Sequence, residues 1–432
     1  MVIEVAKAWS RAYNPHWERD IITEAKKRFK RNMFKEVRDQ VDKEDWIILY
    51  GPLGIGKTTI LAQVIDDLLD NNVDPKRILY LSLEDDLKLA EELEFYEKNV
   101  LREKLRNTNK ETYIFLDEVQ YNSEWYYITD SIKGGNEKVH IIATASYILD
   151  DLPSNVKKIF IKPLTFREYL AIKKIYPKTV KFEVLDLRRK YVEYLHLSEE
   201  FDSYLLTGGI PSLMDVDDIN EISKKARNEF INKIIYMLIP RAEKRKEPYL
   251  VEKILKYISY SVGSQTNYNH LSSMLGKDIR TIINYFDIAI KSFLLYQLKN
   301  KIERGRSSRK LPKTYPYSPA YAYAFYPEKF GTDEYIGKVI EGFIALHLDA
   351  RFYWKKANKE ISIIWERDGV EIPIVVNYTK RLSRREIKKI DTALKKVEKD
   401  MGIIIAKDTF EIVKKERELW IMPPWLLLLT LP

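Results

Sequence analysis

The residue types and spacing with the clearest chemistry occur between positions 51 and 59. The stretch reads Gly51, Pro52, Leu53, Gly54, Ile55, Gly56, Lys57, Thr58 and Thr59. Its pattern, G-x-x-x-x-G-K-T, needs glycine because backbone N–H groups must turn inward around an anion where a Cβ would clash. In such a loop Lys57 reaches the β- and γ-phosphates, the Thr58 hydroxyl holds Mg²⁺, and Thr59 lies near the α-phosphate. The stretch therefore predicts a site for a nucleoside triphosphate and Mg²⁺.

Two acidic residues follow the apolar run 112–116, at the end of a predicted strand. Asp117 is expected to support the Mg²⁺ shell, and Glu118 to polarise the water that attacks the γ-phosphate. A glutamate in that role favours hydrolysis over phosphoryl transfer to a bound acceptor. Two acids can also cap a following helix, and that alternative stays open for the pair taken alone. The chain has no N-K-x-D tetrapeptide, so nothing favours guanine, and ATP is the expected nucleotide.

A third apolar run, 138–146, ends in hydroxyl residues where a side chain could sense the γ-phosphate. Ser146 and Thr144 are the candidates for that role. Serine and threonine also end strands for ordinary turn-forming reasons, so this signal is weaker than the first two.

Five apolar runs alternate with helical stretches and would bring these residues to one edge of a sheet. They are 46–50, 77–83, 112–116, 138–146 and 157–162. After the glycine-rich stretch, apolar residues recur at helical spacing from Ile60 to Leu69, so the N-terminus of that helix would point at the phosphates. This alternation predicts a doubly wound α/β core. If the fourth strand lies between the first and the third, the sheet order is 5-1-4-3-2.

The composition limits the classes of protein to which the chain can belong. It has 432 residues, 45% hydrophobic and 32% charged, with a net charge of +9, five histidines and no cysteine. This length predicts about two to four domains. The lack of cysteine excludes disulfides, thiolate catalysis and cysteine-based zinc sites. We find no secretory signal pattern, and prolines break the apolar tract 420–432, so we expect a cytoplasmic protein without membrane contact.

The chain beyond the core begins with a predicted helical lid over residues 163–235. Thr165 and Glu168 have the spacing of a capping box, which begins a helix where the core ends. The tract G-G-I-P at 208–211 interrupts the helical pattern as a hinge would. A plain helix-to-helix turn is equally compatible with those residues.

Residues 236–325 are expected to form a winged helix. The apolar stripe stops at Gly276 and then resumes with a different face exposed, which is typical of a helix-turn-helix. It consists of Leu271, Met274 and Leu275 before the glycine, and of Ile279, Ile282, Ile283 and Phe286 after it. The residues predicted to face DNA bases or phosphates, on the second helix and in a basic wing, are Arg280, Thr281, Asn284, Arg304, Arg306, Arg309 and Lys310. Winged helices also mediate protein contacts, and a basic loop can simply be solvated. A protein partner or a homo-oligomer therefore stays open beside DNA.

Residues 326–432 are predicted to form a last α/β domain. A helix precedes strands near 352–354, 361–365 and 371–378, and a second helix over 383–397 has basic residues around an apolar stripe. That basic face could lie along a phosphate backbone, or it could be a solvated surface.

These pieces together resemble, over nearly the whole chain, the archaeal and bacterial AAA-like ATPases that join a P-loop core, a winged helix and a restriction-endonuclease-like domain. The resemblance rests on four tracts: the P-loop 51–59, D-E-V-Q at 117–120, P-L-T-F-R-E at 163–168 and G-G-I-P at 208–211. It implies an α/β P-loop NTPase core over 1–162 with a helical lead-in. The lid, the winged helix and the nuclease-like domain would follow in that order.

Nuclease-like members of this family carry a helix glutamate, a strand aspartate and an E-x-K tract. Glu341 matches the first, whereas Ser362 stands at the aspartate position and residues 375–377, V-V-N, at the E-x-K position. Too few carboxylates then remain to hold a divalent ion. We therefore expect a nuclease-like fold without nuclease activity.

Taken together, these patterns predict an ATPase in which Lys57, Glu118 and Ser146 are catalytic and ATP and Mg²⁺ are the cofactors. Hydrolysis is expected to drive a DNA-associated motor or conformational switch. The alternative is a regulatory switch that acts through protein partners without DNA. A metal-dependent nuclease is disfavoured.

Overall fold

The polypeptide folds into two units in a computed structural model of the chain. Unit 1 comprises residues 1–162 and 236–246, and unit 2 comprises residues 163–235 and 247–432. The structure describes residues 12–17, 28–85, 87–243, 247–301, 311–414 and 416–431. Within those ranges no helix is long and apolar enough to cross a bilayer.

Unit 1 is built on a parallel sheet with five strands among the described residues. They are β1 (Trp46–Tyr50), β2 (Ile78–Ser82), β3 (Thr112–Asp117), β4 (Val139–Ala145) and β5 (Lys157–Phe160). The order is β2-β3-β4-β1-β5, and every pairing is parallel. Read from the β5 edge, this is 5-1-4-3-2, the order anticipated from the sequence. All residues of β3 and β4 are buried, as is usual for parallel strands that are covered on both faces.

Helices pack on both faces of this sheet. They are α1 (Asn32–Val41), α2 (Lys57–Asp70), α3 (Leu89–Phe95, continued by π-helical turns over Tyr96–Leu101) and α4 (Trp125–Lys133). Alternate residues of β1 point to opposite faces. Ile47 and Leu49 share a core with α1 and α2, whereas Trp46 and Ile48 share the other core with α3 and α4. The doubly wound α/β core predicted from the sequence is therefore present.

The carboxyl ends of β1, β3 and β4 lie at one edge of the sheet because the strands are parallel and in register. Tyr50 pairs with Ala145, and Leu116 pairs with Ala143. The glycine-rich loop, Asp117 and Ser146 come at or directly after these strand ends. This edge therefore carries the candidate site.

The helices of unit 2 occur in two segments of the chain. The first segment holds α5 (Phe166–Ile172), α6 (Val184–Glu193), α7 (Leu197–Thr207) and α8 (Ile219–Lys225, continued by π-helical turns over Ala226–Ile231). After π-helical turns over Ile234–Leu238, the chain contributes α9 (Ile239–Glu243) to unit 1. The second segment holds α10 (Pro248–Tyr260), α11 (Tyr268–Leu275), α12 (Ile279–Lys291), α13 (Pro319–Tyr323), α14 (Asp333–His347), α15 (Arg384–Lys396) and α16 (Pro424–Leu428). Capping boxes begin α5 at Thr165 and α15 at Ser383.

The sheet of unit 2 has eight strands among the described residues. They are β6 (Leu295–Asn300), β7 (Lys313–Pro316), β8 (Phe352–Lys356), β9 (Lys359–Arg367), β10 (Val370–Val376), β11 (Met401–Ile405), β12 (Glu411–Lys414) and β13 (Glu418–Met422). Their order is β12-β13-β11-β10-β9-β8-β6-β7. The hairpin β6-β7 joins β8 through the parallel pairs Lys299–Phe352 and Asn300–Tyr353. Strands within 236–325, the predicted winged helix, and within 326–432, the predicted last domain, thus form one continuous sheet.

Aromatic residues of the predicted lid are buried in the core of unit 2. Phe166 and Tyr204 belong to the same hydrophobic cluster as Phe343 of α14. Gly208, where the predicted hinge begins, has φ +61°, and a Cβ there would lie 2.0 Å from the Ser318 hydroxyl oxygen. The segment therefore packs as a part of unit 2, and its action as a lid stays a prediction.

Residues 236–246 belong to unit 1. The sequence analysis placed them at the start of the predicted winged helix, 236–325. The Tyr147 hydroxyl donates to Glu243 Oε1 at 2.5 Å, and Arg241 donates to the Glu84 carbonyl oxygen at 3.0 Å. These long-range bonds attach α9 to unit 1, and no local sequence pattern reports them.

Candidate nucleotide and magnesium site

The glycine-rich loop 51–56 leads directly into the N-terminus of α2. Gly56 caps this helix with φ +94°, and Gly54 has φ +82°, both in the left-handed region that favours glycine. A Cβ at Gly51 would lie 2.3 Å from the Ile161 carbonyl oxygen, so a larger residue could not be accommodated without a backbone shift. The loop therefore brings backbone N–H groups together at the positive end of α2, an environment that binds phosphate.

Lys57 is buried, with its ammonium group directed into the loop. Its Nζ donates to the carbonyl oxygens of Gly51 at 3.1 Å and Pro52 at 3.0 Å. It also donates to the Ser146 hydroxyl at 2.7 Å and lies 3.5 Å from Glu118 Oε1. This lysine supplies the point charge that the P-loop pattern requires for phosphate oxygens.

Thr58 and Asp117, the two residues predicted to hold Mg²⁺, contact each other. Thr58 Oγ1 donates to Asp117 Oδ2 at 2.7 Å, and the same carboxylate accepts from the hydroxyls of Tyr80, at 2.9 Å, and Thr144. Burial and the adjacent charge of Glu118 raise the pKa of Asp117. Mg²⁺ usually takes one or two protein carboxylates and completes its shell with phosphate and water oxygens, so this hydroxyl and carboxylate fit it. Within the described ranges, no group of three or more His, Asp or Glu could hold a metal ion.

Glu118 is buried and its backbone is left-handed, with φ 57° and ψ 52°. The Ser146 hydroxyl donates to Oε1 at 2.7 Å, and Gln120 Nε2 donates to Oε2 at 2.5 Å. Burial alone would raise the pKa of Glu118, but Lys57 and these hydrogen bonds outweigh it, and the pKa is lowered. An ionised carboxylate can act as a general base, and a strained non-glycine backbone is typical of functional sites.

The two candidate sensor hydroxyls have different partners. Ser146 contacts both Lys57 and Glu118. Thr144 instead donates to Asp117 and accepts the Glu118 N–H at 2.9 Å. Ser146 is therefore the hydroxyl beside the phosphate-binding lysine, and Thr144 supports the acidic pair.

Several residues near the site have no assigned role in the sequence analysis. Gln120 donates to Glu118 and accepts the Ser146 N–H at 3.2 Å, which links the acid to the predicted sensor. Its place in the D-E-V-Q tract was the available signal. Arg31 donates to the carbonyl oxygens of Ile55 at 3.1 Å and Lys162 at 2.9 Å, and so supports the loop.

Arg241 reaches the same edge of the sheet from far along the chain. Its guanidinium lies 5.2 Å from the ring centroid of Tyr121, which follows Gln120 directly. No spacing or motif could have identified this residue, because α9 precedes the predicted helix-turn-helix rather than the core.

The residues of α12 predicted to contact DNA are not equally accessible. Arg280 is exposed, whereas Thr281 and Asn284 are half-buried. The Thr281 hydroxyl donates to Asp278, the residue that caps α12, at 2.5 Å. Thr281 thus takes part in capping the helix. The predicted wing residues Arg304, Arg306, Arg309 and Lys310 lie outside the described residues.

The apolar stripe predicted across α11 and α12 is only partly correct. Met274, Ile279 and Ile283 were assigned to it, but they are 48%, 43% and 40% exposed. Leu271, Ile282 and Phe286, which were assigned to the same stripe, are buried. Part of the predicted stripe therefore packs in the core, and the rest of it presents apolar side chains to solvent.

Glu341, which matches the nuclease glutamate, is fully buried on α14. Its Oε1 accepts from Lys313 Nζ and from the Tyr315 hydroxyl, both at 2.6 Å. Ser362, at the aspartate position, accepts the Val376 N–H at 3.2 Å. The carboxylate that a nuclease would direct to a metal ion is thus engaged in an internal ion pair.

Two segments of the chain match protein-family models. Residues 43–170 match a family described as an AAA domain. Residues 198–326 match a domain of unknown function, DUF8612. With the P-loop and the five-stranded parallel sheet, the first match supports an AAA-like P-loop ATPase fold for this part of the chain.

Relatives of the chain have low sequence identity to it. An uncharacterised protein of Methanocaldococcus jannaschii is 26% identical over 419 residues, covering 89% of this chain and 86% of its own length. An uncharacterised protein of Haemophilus influenzae is 22% identical over 280 residues, covering 62% of this chain and 66% of its own. Neither name states an activity.

Solved structures also resemble the chain weakly. A Walker-type ATPase of Pyrococcus abyssi aligns with 72% of this chain and 99% of its own, at 14% identity and a TM-score of 0.43. AMPPCP-bound DnaA of Aquifex aeolicus aligns with 63% of this chain and 89% of its own, at 16% identity and a TM-score of 0.25.

Proposed function

We propose that unit 1 binds ATP with Mg²⁺ and hydrolyses it. The observation that carries this proposal is the contact of Glu118 with both Lys57 and Ser146 at the end of a P-loop. A base, a phosphate-binding cation and a polar sensor thus meet at one point. The AAA-domain match over residues 43–170 supports the same function.

Each residue of the site has a distinct role in this proposal. ATP supplies the phosphoanhydride bond, and Mg²⁺ neutralises charge on its phosphates. Thr58 and Asp117 would hold the ion, and Lys57 would neutralise the phosphate oxygens. Glu118 accepts a proton from the water that attacks the γ-phosphate, and Ser146 holds the Glu118 carboxylate in place. The products are ADP and inorganic phosphate.

Two substitutions test these roles separately. Lys57→Ala should abolish ATP binding because it removes the cation of the loop. Glu118→Gln should retain binding and slow phosphate release by about 10²–10⁴-fold, the usual worth of a general base. Glu124→Gln, an exposed acid on the same sheet edge, is the control and should leave turnover unchanged. Wild-type turnover in Glu118→Gln would refute the assigned base.

Hydrolysis is further proposed to drive a DNA-associated motor or switch. The net charge of +9 supports a polyanionic partner, as do the exposed Arg280 and the exposed basic residues Arg384, Arg385, Lys388 and Lys389 of α15. Duplex and single-stranded DNA should stimulate ATP turnover and bind with a steep dependence on salt concentration. If neither DNA binds or stimulates, the DNA role fails while the ATPase proposal stands.

A switch that acts through a protein partner is the second candidate. The exposed side chains of Met274, Ile279 and Ile283 favour it, because apolar groups at a surface are more typical of protein contacts than of DNA contacts. Arg280→Ala and Ile283→Ser separate the two candidates. If the switch acts on DNA, Arg280→Ala should lose DNA-stimulated turnover. If it acts through a protein partner, only Ile283→Ser should lose binding of that partner.

A further inference from the structure

Unit 2 contains a cavity of about 660 Å³ that the proposed ATPase does not use. Its walls come from α14, β8, β9, the end of β10 and α15. The volume falls in the range of about 300–1,000 Å³ that is typical of small-molecule sites. Ser362 and residues 375–377, which the sequence analysis aligned with the nuclease motif, line it.

Positive charge converges on this cavity from three elements. Lys338 comes from α14, Lys355 from β8 and Lys389 from α15. Two carboxylates also line the cavity, and both are bonded to protein groups. Glu360 pairs with Lys355 at 3.1 Å and with the buried Lys313.

The second carboxylate is committed to the helix that carries it. Glu386 forms the capping box of α15 and accepts from Asn377 Nδ2 at 3.0 Å. Two of the lysines are themselves paired, Lys338 with the buried Glu341 at 3.3 Å and Lys355 with Glu360. With Glu341 and Lys313 included, four lysines face three carboxylates, and the net charge of the lining is positive. The ligand that fits this lining is an anion.

The other residues that line the cavity indicate which class of anion it would bind. Ser362 is neutral where a nuclease would have a carboxylate, so this wall does not repel a phosphate. Val375 and Ile390 supply apolar surface, and Asn358 and Asn377 supply amide groups, which suit the base and sugar of a nucleotide.

We propose that this cavity binds the phosphate of a nucleotide, either free or at the end of a nucleic-acid strand, and does not cleave it. Lysine ammonium groups provide the charge that a divalent ion would provide in a nuclease. The proposal does not rest on ATP hydrolysis by unit 1.

Calorimetric titration of the full chain in the Lys57→Ala background tests this site without nucleotide binding by unit 1. The probes are dTMP and a 5′-phosphorylated pentathymidylate, both in EDTA. We expect binding of at least one probe. Binding of both indicates a mononucleotide site, and binding of the oligonucleotide alone indicates a strand end.

Variants locate the binding to this cavity. Lys389→Ala should weaken binding about tenfold, as expected for the loss of one charge-assisted hydrogen bond. Lys396→Ala removes an exposed lysine of the same helix that does not line the cavity, and it should change affinity less than twofold. Ser362→Asp should abolish binding because it adds a negative charge to the wall.

Two results would overturn the proposal. One is the absence of binding of either probe to a folded protein, as judged by its circular dichroism. The other is an equal loss of affinity in the Lys396 and Lys389 variants, which would indicate general surface attraction.

Discussion

Replacing Lys313 with methionine would leave a buried carboxylate without its principal partner. Lys313 is 2% exposed and Glu341 is fully buried, and their charged atoms lie 2.6 Å apart. Breaking a buried ion pair by removing one partner costs about 3–5 kcal/mol, because the remaining charge stays desolvated. We therefore expect Lys313→Met to lower the free energy of unfolding by about 3–5 kcal/mol.

The pKa of Glu341 gives a similar value for the free energy that this ion pair contributes to stability. Burial alone would raise this pKa, but Lys313 and Lys338 lower it from 4.5 to about 2. The difference corresponds to about 3 kcal/mol, at about 1.4 kcal/mol per pH unit. Because the pKa is lower in the folded protein, this stabilisation is present above about pH 4.5 and is lost as the pH falls towards 2. As the pH falls from about 4.5 towards 2, the free energy of unfolding of the wild-type protein should therefore decrease. That of Lys313→Met should decrease much less.

Urea unfolding at pH 7, monitored by tryptophan fluorescence, measures the loss of unfolding free energy. Fluorescence reports on unit 2 because Trp354, Trp365 and Trp425 are buried in it. Lys338→Met is the matched control. Lys338 lies 3.3 Å from the same carboxylate but is 41% exposed, so its loss should cost less than about 1 kcal/mol.

The double variant Lys313→Met/Glu341→Gln should recover most of the stability because it removes both charges. An unchanged urea midpoint for Lys313→Met would refute the reasoning. So would a loss of unfolding free energy in Lys338→Met equal to that in Lys313→Met. The result also bears on the nuclease alternative, since a carboxylate needed for internal pairing cannot be withdrawn to hold a metal ion without this cost.

Three further substitutions test the nucleotide site. Gln120→Ala should lower the kcat of phosphate release by about 10–100-fold with little change in KM, because it removes a charge-assisted hydrogen bond to Glu118. Arg241→Ala should lower kcat by about two- to fivefold, since an exposed cation–π contact with Tyr121 is worth about 0.5–1 kcal/mol, and Arg241→Lys should restore part of it. Gly56→Ala should weaken binding of a fluorescent ATP analogue about tenfold, because alanine at φ +94° costs about 1–3 kcal/mol; unchanged affinity would contradict this account of the loop.

The nucleotide core could be predicted from the sequence because its signals are local. The P-loop lies between a short apolar strand and an amphipathic helix, and each of the acidic and hydroxyl candidates lies at the end of its own apolar run. In parallel sheets such strand ends meet at one edge, so the order of the apolar runs was enough to place these residues together. The role of Gln120 was missed because its two bonds, to Glu118 and Ser146, depend on the turn that follows β3.

Predictions for unit 2 were less complete because its elements combine over long distances. The helices expected around 163–207 exist, but their aromatic residues share a core with α14. The β6-β7 hairpin lies in the segment predicted as a winged helix, and it continues into the sheet of the segment predicted as a separate last domain. Helical periodicity placed Ile279, Ile282, Ile283 and Phe286 in one stripe of α12. It could not show that only Ile282 and Phe286 among them would be buried.

The sequence by itself determined the phosphate loop, the acidic pair, the hydroxyl candidates and the alternation of strands and helices, since each depends on neighbouring residues. Only the tertiary structure decided which candidates touch. In the folded protein Ser146, and not Thr144, contacts Lys57, and Arg241 contacts Tyr121. Glu341 pairs with a lysine 28 residues away. The physical reason is that backbone preference is set locally, whereas a buried charge must find its partner among all the groups that folding brings near it.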